Sequence, residues 1–384
     1  MQIALISTGN PRDPLNWSGT TRNLILEFEK QGHAIETVAA GPHSPIHRFF
    51  LRASAALQGT EMTFSPECRA YAGRKVAREL EKGFAQVVLH TGNSAFLPPN
   101  SACESQYLYC DSTWYSRYAR NPYLSPIIRW RSRAHKSMDR DERAALGRFR
   151  HIFCISEVVG RDLVDHYQID KKKITVVGTG SGRIVPLSGE KQTSESLILF
   201  VARHAFEMKG GELLLEAFEK AVKVNKKLTL VIVAPKALEK RTKGIPRVSV
   251  TGNLSWDSVQ DLFYRAQLFV MPALYEPWGL VYVEALLCKT PIMGLNRNAL
   301  PQITDHGRFG VLVEEPSADA LATAILAAFS DPLKLKNMGE EGQSFCLKNY
   351  SWQIVVQRML RQFAADAVEN SDPLKITNNA SAAT

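Results

Sequence analysis

Short apolar runs alternate with amphipathic stretches along almost the whole chain, and the alternation occurs twice over. In the first half the runs fall at Gln2–Ser7, Ala34–Val38, Val87–Leu89, Tyr107–Tyr109, His151–Ile155 and Ile174–Val177. In the second half they fall at Leu197–Val201, Leu228–Val233, Val248–Thr251, Leu268–Met271, Pro291–Gly294 and Gly310–Val313. Between them lie stretches with helical spacing, among them Glu212–Val224 and Ala318–Phe329. Strands that alternate with helices build parallel sheets covered on both faces. A chain of 384 residues exceeds one ordinary core. The reading is therefore α/β, with two doubly wound Rossmann-like domains separated by a cleft. The polar stretch Pro186–Ser196 marks the boundary. This gives an N-terminal domain at 1–188 and a C-terminal domain at 189–351. A terminal helix at 352–370, whose apolar periodicity runs from Trp352 to Ala365, crosses back to the first domain. The small polar tail 371–384 is read as disordered.

Several classes lose support early. No apolar run reaches the length of a membrane-spanning helix, and the N-terminal stretch turns polar too soon for a signal peptide. The six cysteines, at 68, 103, 110, 154, 288 and 346, form no CxxC pair. Reduced thiols in a cytoplasmic protein are the expectation, with no metal site. The stretch Gly178-Thr-Gly180-Ser-Gly182-Arg183 lacks the third glycine of a dinucleotide fingerprint and reads as a turn after a strand. No GxxxxGK[ST], GxSxG or HExxH pattern occurs.

The net charge of +9 is local. Residues 1–188 hold 25 Lys and Arg against 17 Asp and Glu, a net of +8, and Ser112–Arg150 alone holds ten basic and three acidic residues. Aromatics are interleaved there: Trp114, Tyr115, Tyr118, Tyr123 and Trp130. Such a patch fits an anionic or lipid-linked acceptor, peripheral contact with the inner face of a membrane, a carbohydrate cleft where aromatics stack on sugars, or a solvated basic helix, rather than nucleic acid. His47-Arg48-Phe49-Phe50-Leu51-Arg52 is a second docking candidate.

Residues 271–291, MPALYEPWGLVYVEALLCKTP, carry the densest chemistry. A strand ends at Met271, a loop holds Glu276, Pro277, Trp278 and Gly279, and a helix opens near Leu280. Free backbone N–H groups and a partial positive charge make that helix start a site for a diphosphate. Glu276 and Glu284 could grip sugar hydroxyls as acceptors, or could be a helix cap and a surface charge. Apolar neighbours around Glu284 argue against a wholly solvated face.

Glu276-Pro277-Trp278-Gly279 followed by Glu284-Ala285 resembles the E-P-x-G-x-x-x-x-E-A signature of the retaining glycosyltransferases of family 4, which have the two-domain GT-B fold. The resemblance implies that Glu276 contacts the donor sugar and Glu284 the nucleotide ribose. It further implies that the amides of Gly279, Leu280 and Val281 hold the diphosphate. Arg203 and Lys209, in a segment ending Lys209-Gly210-Gly211, look like the family's G-R-x-x-x-x-K-G, with Ala202 in place of the usual glycine and a longer spacer. There they would stabilise the departing diphosphate. Gly252 and Leu254 resemble a loop whose backbone meets the base. Asp13-Pro-Leu-Asn-Trp17-Ser18-Gly19-Thr20 looks like a segment of one branch of the family, with Gly19 approaching the donor phosphates.

One departure stands out. Where many members carry a histidine after the fourth strand, this chain has Asp111, which could instead cap the next helix; His90, one strand earlier, is an alternative. His90, Trp114 and Tyr118 are the acceptor-side candidates. The resemblance thus implies transfer of a hexose from a nucleoside diphosphate to a hydroxyl, with retention, no cofactor and no metal. The alternatives are a nucleotide-sugar epimerase of the same fold and a non-catalytic basic binding protein.

Overall fold

The computed structural model describes residues 1–370 except 43, 59–61, 63–64, 84, 93–104, 120–131 and 195. The tail 371–384, Cys103 and the middle of the basic aromatic patch lie outside the described residues.

Strands β1 (Gln2–Ser7), β2 (Ala34–Ala39), β3 (Val87–Thr91), β4 (Gln106–Cys110), β5 (His151–Cys154) and β6 (Ile174–Val176) form one parallel sheet in the order β2-β1-β3-β4-β5-β6. Strands β7 (Leu197–Val201), β8 (Thr229–Val233), β9 (Val248–Val250), β10 (Leu268–Val270), β11 (Ile292–Leu295) and β12 (Gly310–Val313) form a second, in the order β12-β11-β10-β7-β8-β9. Each apolar run of the sequence became a strand, with ends shifted by no more than two residues. The central runs are buried on both faces, and helices cover them, which is why they read as continuous hydrophobic segments, while the strands β2, β6 and β9 keep partial exposure.

Helices α1 (Thr20–Lys30), α2 (Pro45–Gln58), α3 (Pro66–Leu80), α4 (Trp114–Ala119), α5 (Ser132–Arg148) and α6 (Glu157–Asp165) belong with the first sheet. Helices α7 (Gly211–Val224), α8 (Trp256–Arg265), α9 (Leu280–Leu287), α10 (Leu300–Ile303), α11 (Ala318–Ser330) and α12 (Pro332–Asn349) belong with the second. In doubly wound sheets ligands bind beyond the carboxyl ends of the strands where the strand order reverses. In the second sheet that point lies between β7 and β10, and in the first between β1 and β3.

The last helix, α13 (Trp352–Asn370), outruns its apolar periodicity by five residues because its end pairs with the first domain. Tyr107 donates to Asp366 at 2.9 Å, Phe363 packs edge-on against Tyr107, and Arg150 lies 3.4 Å from Asp366. Arg358 donates to the Val177 carbonyl at 2.9 Å. Helix α12 was hidden in the sequence by its glycines. A Cβ on Gly339 would meet the Lys289 carbonyl oxygen at 2.2 Å, and one on Gly342 would meet Leu286 at 2.7 Å, so both glycines let α12 press against α9 and its exit.

Candidate active site

Two loops of the second domain meet beyond the ends of β7 and β10. The first leaves β7 through Ala202 and Arg203 and enters α7 at Gly210. That glycine is left-handed at φ +79°, and a Cβ there would stand 2.1 Å from the Pro272 carbonyl oxygen. Only glycine fits so close an approach, and it seats the preceding Lys209 over the second loop. The second loop leaves β10 at Met271 and enters α9 at Gly279, left-handed at φ +83°. Lys209 Nζ lies 3.9 Å from Glu276 Oε2, each side chain keeping a minor share of solvent contact. Burial raises the Glu276 pKa. Lys209 opposes that rise most, Asp111 adds to it, and the N–H groups of Trp278 and Gly279 oppose it. Helix α9 opens beside this pair, and its leading N–H groups give it the polarity a diphosphate requires.

Glu284 sits on the second turn of α9 and is only 6 % exposed. Its Oε1 accepts from the backbone N–H of Arg183 at 3.3 Å. Burial pushes its pKa up to about 7, against the pull of the N–H groups of Arg183, Gly182 and Ile184 and of Lys209. The stretch Gly178–Arg183, read from the sequence as a simple turn, therefore wraps this carboxylate. A Cβ on Gly182 would meet Glu284 Oε1 at 2.4 Å. Arg183 also donates to the Pro14 carbonyl at 3.1 Å, which brings the loop before Gly19 to the same place.

Arg203 bridges to the next loop. Its guanidinium donates to the Leu254 carbonyl and lies 4.4 Å from the Trp256 ring centroid. Arg183 approaches the same ring at 5.4 Å. Gly252, left-handed at φ +80°, begins this loop after β9. Trp256 was not singled out in the sequence; its position two residues past Leu254 was the available signal.

The first domain contributes Asp111, beyond the end of β4. Its Oδ2 accepts from the Trp17 indole N–H at 2.9 Å and its Oδ1 from the Ser112 hydroxyl at 3.0 Å. Asp111 is not the cap of α4. That place belongs to Thr113, whose hydroxyl accepts from Ser116 N–H while the Ser116 hydroxyl accepts from Thr113 N–H. Trp114 N–H donates to Glu142 and Tyr115 N–H to the Tyr167 hydroxyl, so the first turn of α4 is satisfied from within the domain. Asp111 is close enough to raise the pKa of both Glu276 and Tyr275. Tyr275 in turn donates across the domain interface to the Ser116 hydroxyl at 3.5 Å.

Trp17 and Ser18 are left-handed, at φ 45° and 55°, and Gly19 follows at φ 84° as the N-cap of α1. Two consecutive non-glycine residues in that region hold conformational strain, offset here by the Trp17–Asp111 bond.

The acceptor-side candidates lie inside the first domain. His90, on β3, is buried with its ring edge-on to Phe149 at 5.3 Å. Trp114 and Tyr118 stack on each other at 3.6 Å and form a small core with Met138. All three side chains are buried in the first domain, Trp114 and Tyr118 because α4 lies along α5, and His90 because its strand sits in the sheet against Phe149. Tyr123 and Trp130 lie outside the described residues.

Two parallel doubly wound sheets, with a Lys209–Glu276 pair and a helix start beyond β7 and β10 and Asp111 brought near them from the first domain, define the class: a two-domain Rossmann-like α/β protein with charged side chains gathered between its sheets. Residues 187–345 match the model of the glycosyl transferases group 1, and residues 19–180 match that of glycosyltransferase family 4. The chain belongs to this glycosyltransferase family. It is similar to the D-inositol 3-phosphate glycosyltransferase of Rhodococcus jostii (25% identical, covering 52% of this chain and 49% of the relative). The chain spans about half or less of the length of the curated relatives it matches. The fold is similar to sucrose-phosphate synthase from Thermosynechococcus elongatus (TM-score 0.70, 17% identity, covering 96% of this chain and 100% of that one). It is also similar to Anabaena HepE in complex with UDP and glucose (TM-score 0.62, 12% identity, 95% and 100%). Among the described residues no helix is long and apolar enough to cross a membrane, and no group of three or more His, Cys, Asp or Glu is placed to hold a metal ion.

Proposed function

We propose that the chain transfers a hexosyl group from a nucleoside-diphosphate sugar to a hydroxyl acceptor, with retention at the anomeric carbon and without a metal. The observation that carries this reading is the meeting of Lys209, Glu276 and the start of α9 in one loop cluster, with Asp111 facing it from the other domain. Lys209, Arg203 and the amides of Gly279, Leu280 and Val281 receive the diphosphate. Glu276 accepts from donor sugar hydroxyls, Glu284 from the ribose, the backbone at Gly252 and Leu254 meets the base, and Gly19 approaches the phosphates. Asp111 accepts from a hydroxyl of the donor sugar or of the acceptor.

In the reaction the bond from C1 to the phosphate oxygen breaks and its electron pair goes to the diphosphate. The acceptor oxygen bonds to C1 from the same face. The departing phosphate oxygen is then the nearest base and takes the acceptor's proton. Negative charge grows on the diphosphate as the bond breaks, so fixed cations aimed at it stabilise the transition state more than the bound donor. The basic first domain supports an anionic acceptor. A relative named for D-inositol 3-phosphate and a structural neighbour holding UDP support the substrate classes. The five described cysteines, all free and buried, support a reducing, cytoplasmic setting.

Incubation with UDP-, GDP- and ADP-hexoses, with release of nucleoside diphosphate and the anomeric configuration of the product followed together, tests the proposal. Acceptor-dependent release that is abolished in Lys209→Ala supports it. Turnover of the donor to an epimeric sugar without acceptor, or full transfer by Lys209→Ala, refutes it.

A further inference from the structure

Helix α2 is apolar on the wrong side for a purely structural element. Leu51 and Ala55 face the first domain and are buried, and His47 packs edge-on against Tyr71 of α3. The opposite face carries Ile46, Phe49, Phe50 and Leu57, which are 71%, 68%, 64% and 78% exposed. At 100° per residue these four positions fall within one stripe about 100° wide and about 16 Å long. Exposed large apolar side chains elsewhere among the described residues are scattered aliphatics; both exposed phenylalanines are here, ring to ring at 5.9 Å. At the same spacing Arg52 stands about 60° beyond one edge of the stripe, Arg48 is turned toward the buried side, where it donates to the Pro42 carbonyl at 3.3 Å, and the helix Pro45–Gln58 contains no acidic residue. A contiguous apolar stripe of this kind marks an interaction surface rather than ordinary surface scatter.

We infer that α2 docks this protein on an anionic lipid surface, lying in the plane of the interface with Phe49 and Phe50 among the acyl chains and Arg52 reaching the headgroups. Two features select a lipid surface over a protein partner. The helix that bears the stripe carries basic residues and no acidic one, so it lacks the mixed charges of a polar rim. The positive charge of the whole chain is concentrated in the domain that bears the stripe, which adds long-range attraction to an anionic leaflet. Of the basic aromatic patch at 112–150, Trp114 and Tyr118 are buried, and the stretch 120–131 lies outside the described residues. The inference does not depend on the transfer reaction, since binding is read without a donor.

The test is co-sedimentation of the full chain with phosphatidylcholine vesicles, with and without about 30% phosphatidylserine. Wild type is expected to bind the anionic vesicles with an affinity that falls with salt. Phe49→Ser/Phe50→Ser is expected to weaken that binding by more than about tenfold, because two ring burials are lost. Arg52→Gln is expected to weaken it and to flatten the salt dependence. Unchanged thermal unfolding of both variants establishes that the fold is intact. The inference is overturned if wild type ignores anionic vesicles, or if the phenylalanine variant binds them as well as wild type. It is also overturned if the stripe instead mediates a dimer that the same variant dissociates, or binds a soluble acidic polypeptide while leaving vesicles alone.

Discussion

Lys209→Met removes a charge while keeping most of the stem's volume, and the structure fixes what should follow. The ammonium stands 3.9 Å from Glu276 Oε2. At an effective dielectric of about 20, two unit charges at that distance interact by about 4 kcal/mol, a ceiling that residual solvent contact lowers. In the proposed reaction the same ammonium faces the departing diphosphate. Losing one preorganised partner for a developing charge costs roughly 100- to 1,000-fold in kcat. A second signature is independent of that figure. Lys209 is the strongest influence holding the Glu276 pKa down, against burial and Asp111. Without it the carboxyl rises further, so the pH below which Glu276 protonates and the rate falls must move upward. The assay is steady-state transfer from pH 5 to pH 9 for wild type and variant. A kcat within threefold of wild type, or an acidic limb that stays in place or moves down, refutes the reasoning.

Three other perturbations have defined outcomes. The folded-state pKa of Glu284 is raised to about 7 from 4.5, so its protonated form favours folding; that contribution is complete below pH 4.5 and lost as pH rises through 7. Glu284→Gln should therefore gain up to about 3 kcal/mol over wild type between pH 5 and pH 8 in urea unfolding, while its nucleotide affinity falls. Gly210→Ala places a Cβ against the Pro272 carbonyl oxygen in a left-handed residue, and should cost more than about 2 kcal/mol of stability and displace Lys209, seen as a lower Tm together with lost turnover. Trp17→Phe removes the indole donor to Asp111 and should lower kcat several-fold while leaving donor affinity, measured by calorimetry, unchanged.

The fold was legible because its central strands are buried on both faces, which writes each as an apolar run such as Leu197–Val201. Helix α3 was not, since it is rich in charge and encloses Arg69; α12 was masked by Gly339 and Gly342, whose role is close packing. Lys209 and Glu276 were legible as residue types next to glycines at helix starts, a local pattern. Their partners were not, because Trp17 with Asp111, Arg183 with Glu284 and Tyr275 with Ser116 are contacts between segments 94, 101 and 159 residues apart. The same limit explains His90, Trp114 and Tyr118. Their chemistry suits a sugar site, but which way they face is set by α4 packing on α5 for Trp114 and Tyr118 and by Phe149 packing on β3 for His90.

The central claim is that the carboxyl ends of β7 and β10 hold a nucleoside diphosphate. Thermal unfolding with UDP, GDP and ADP tests it most directly. The account predicts that one of them, at about 100 times its Kd, stabilises the wild-type protein by about 2.7 kcal/mol, and that Glu284→Gln shows a markedly smaller shift with the same nucleotide. Unfolding that none of the three nucleotides shifts, or a shift of equal size in wild type and Glu284→Gln, would contradict it.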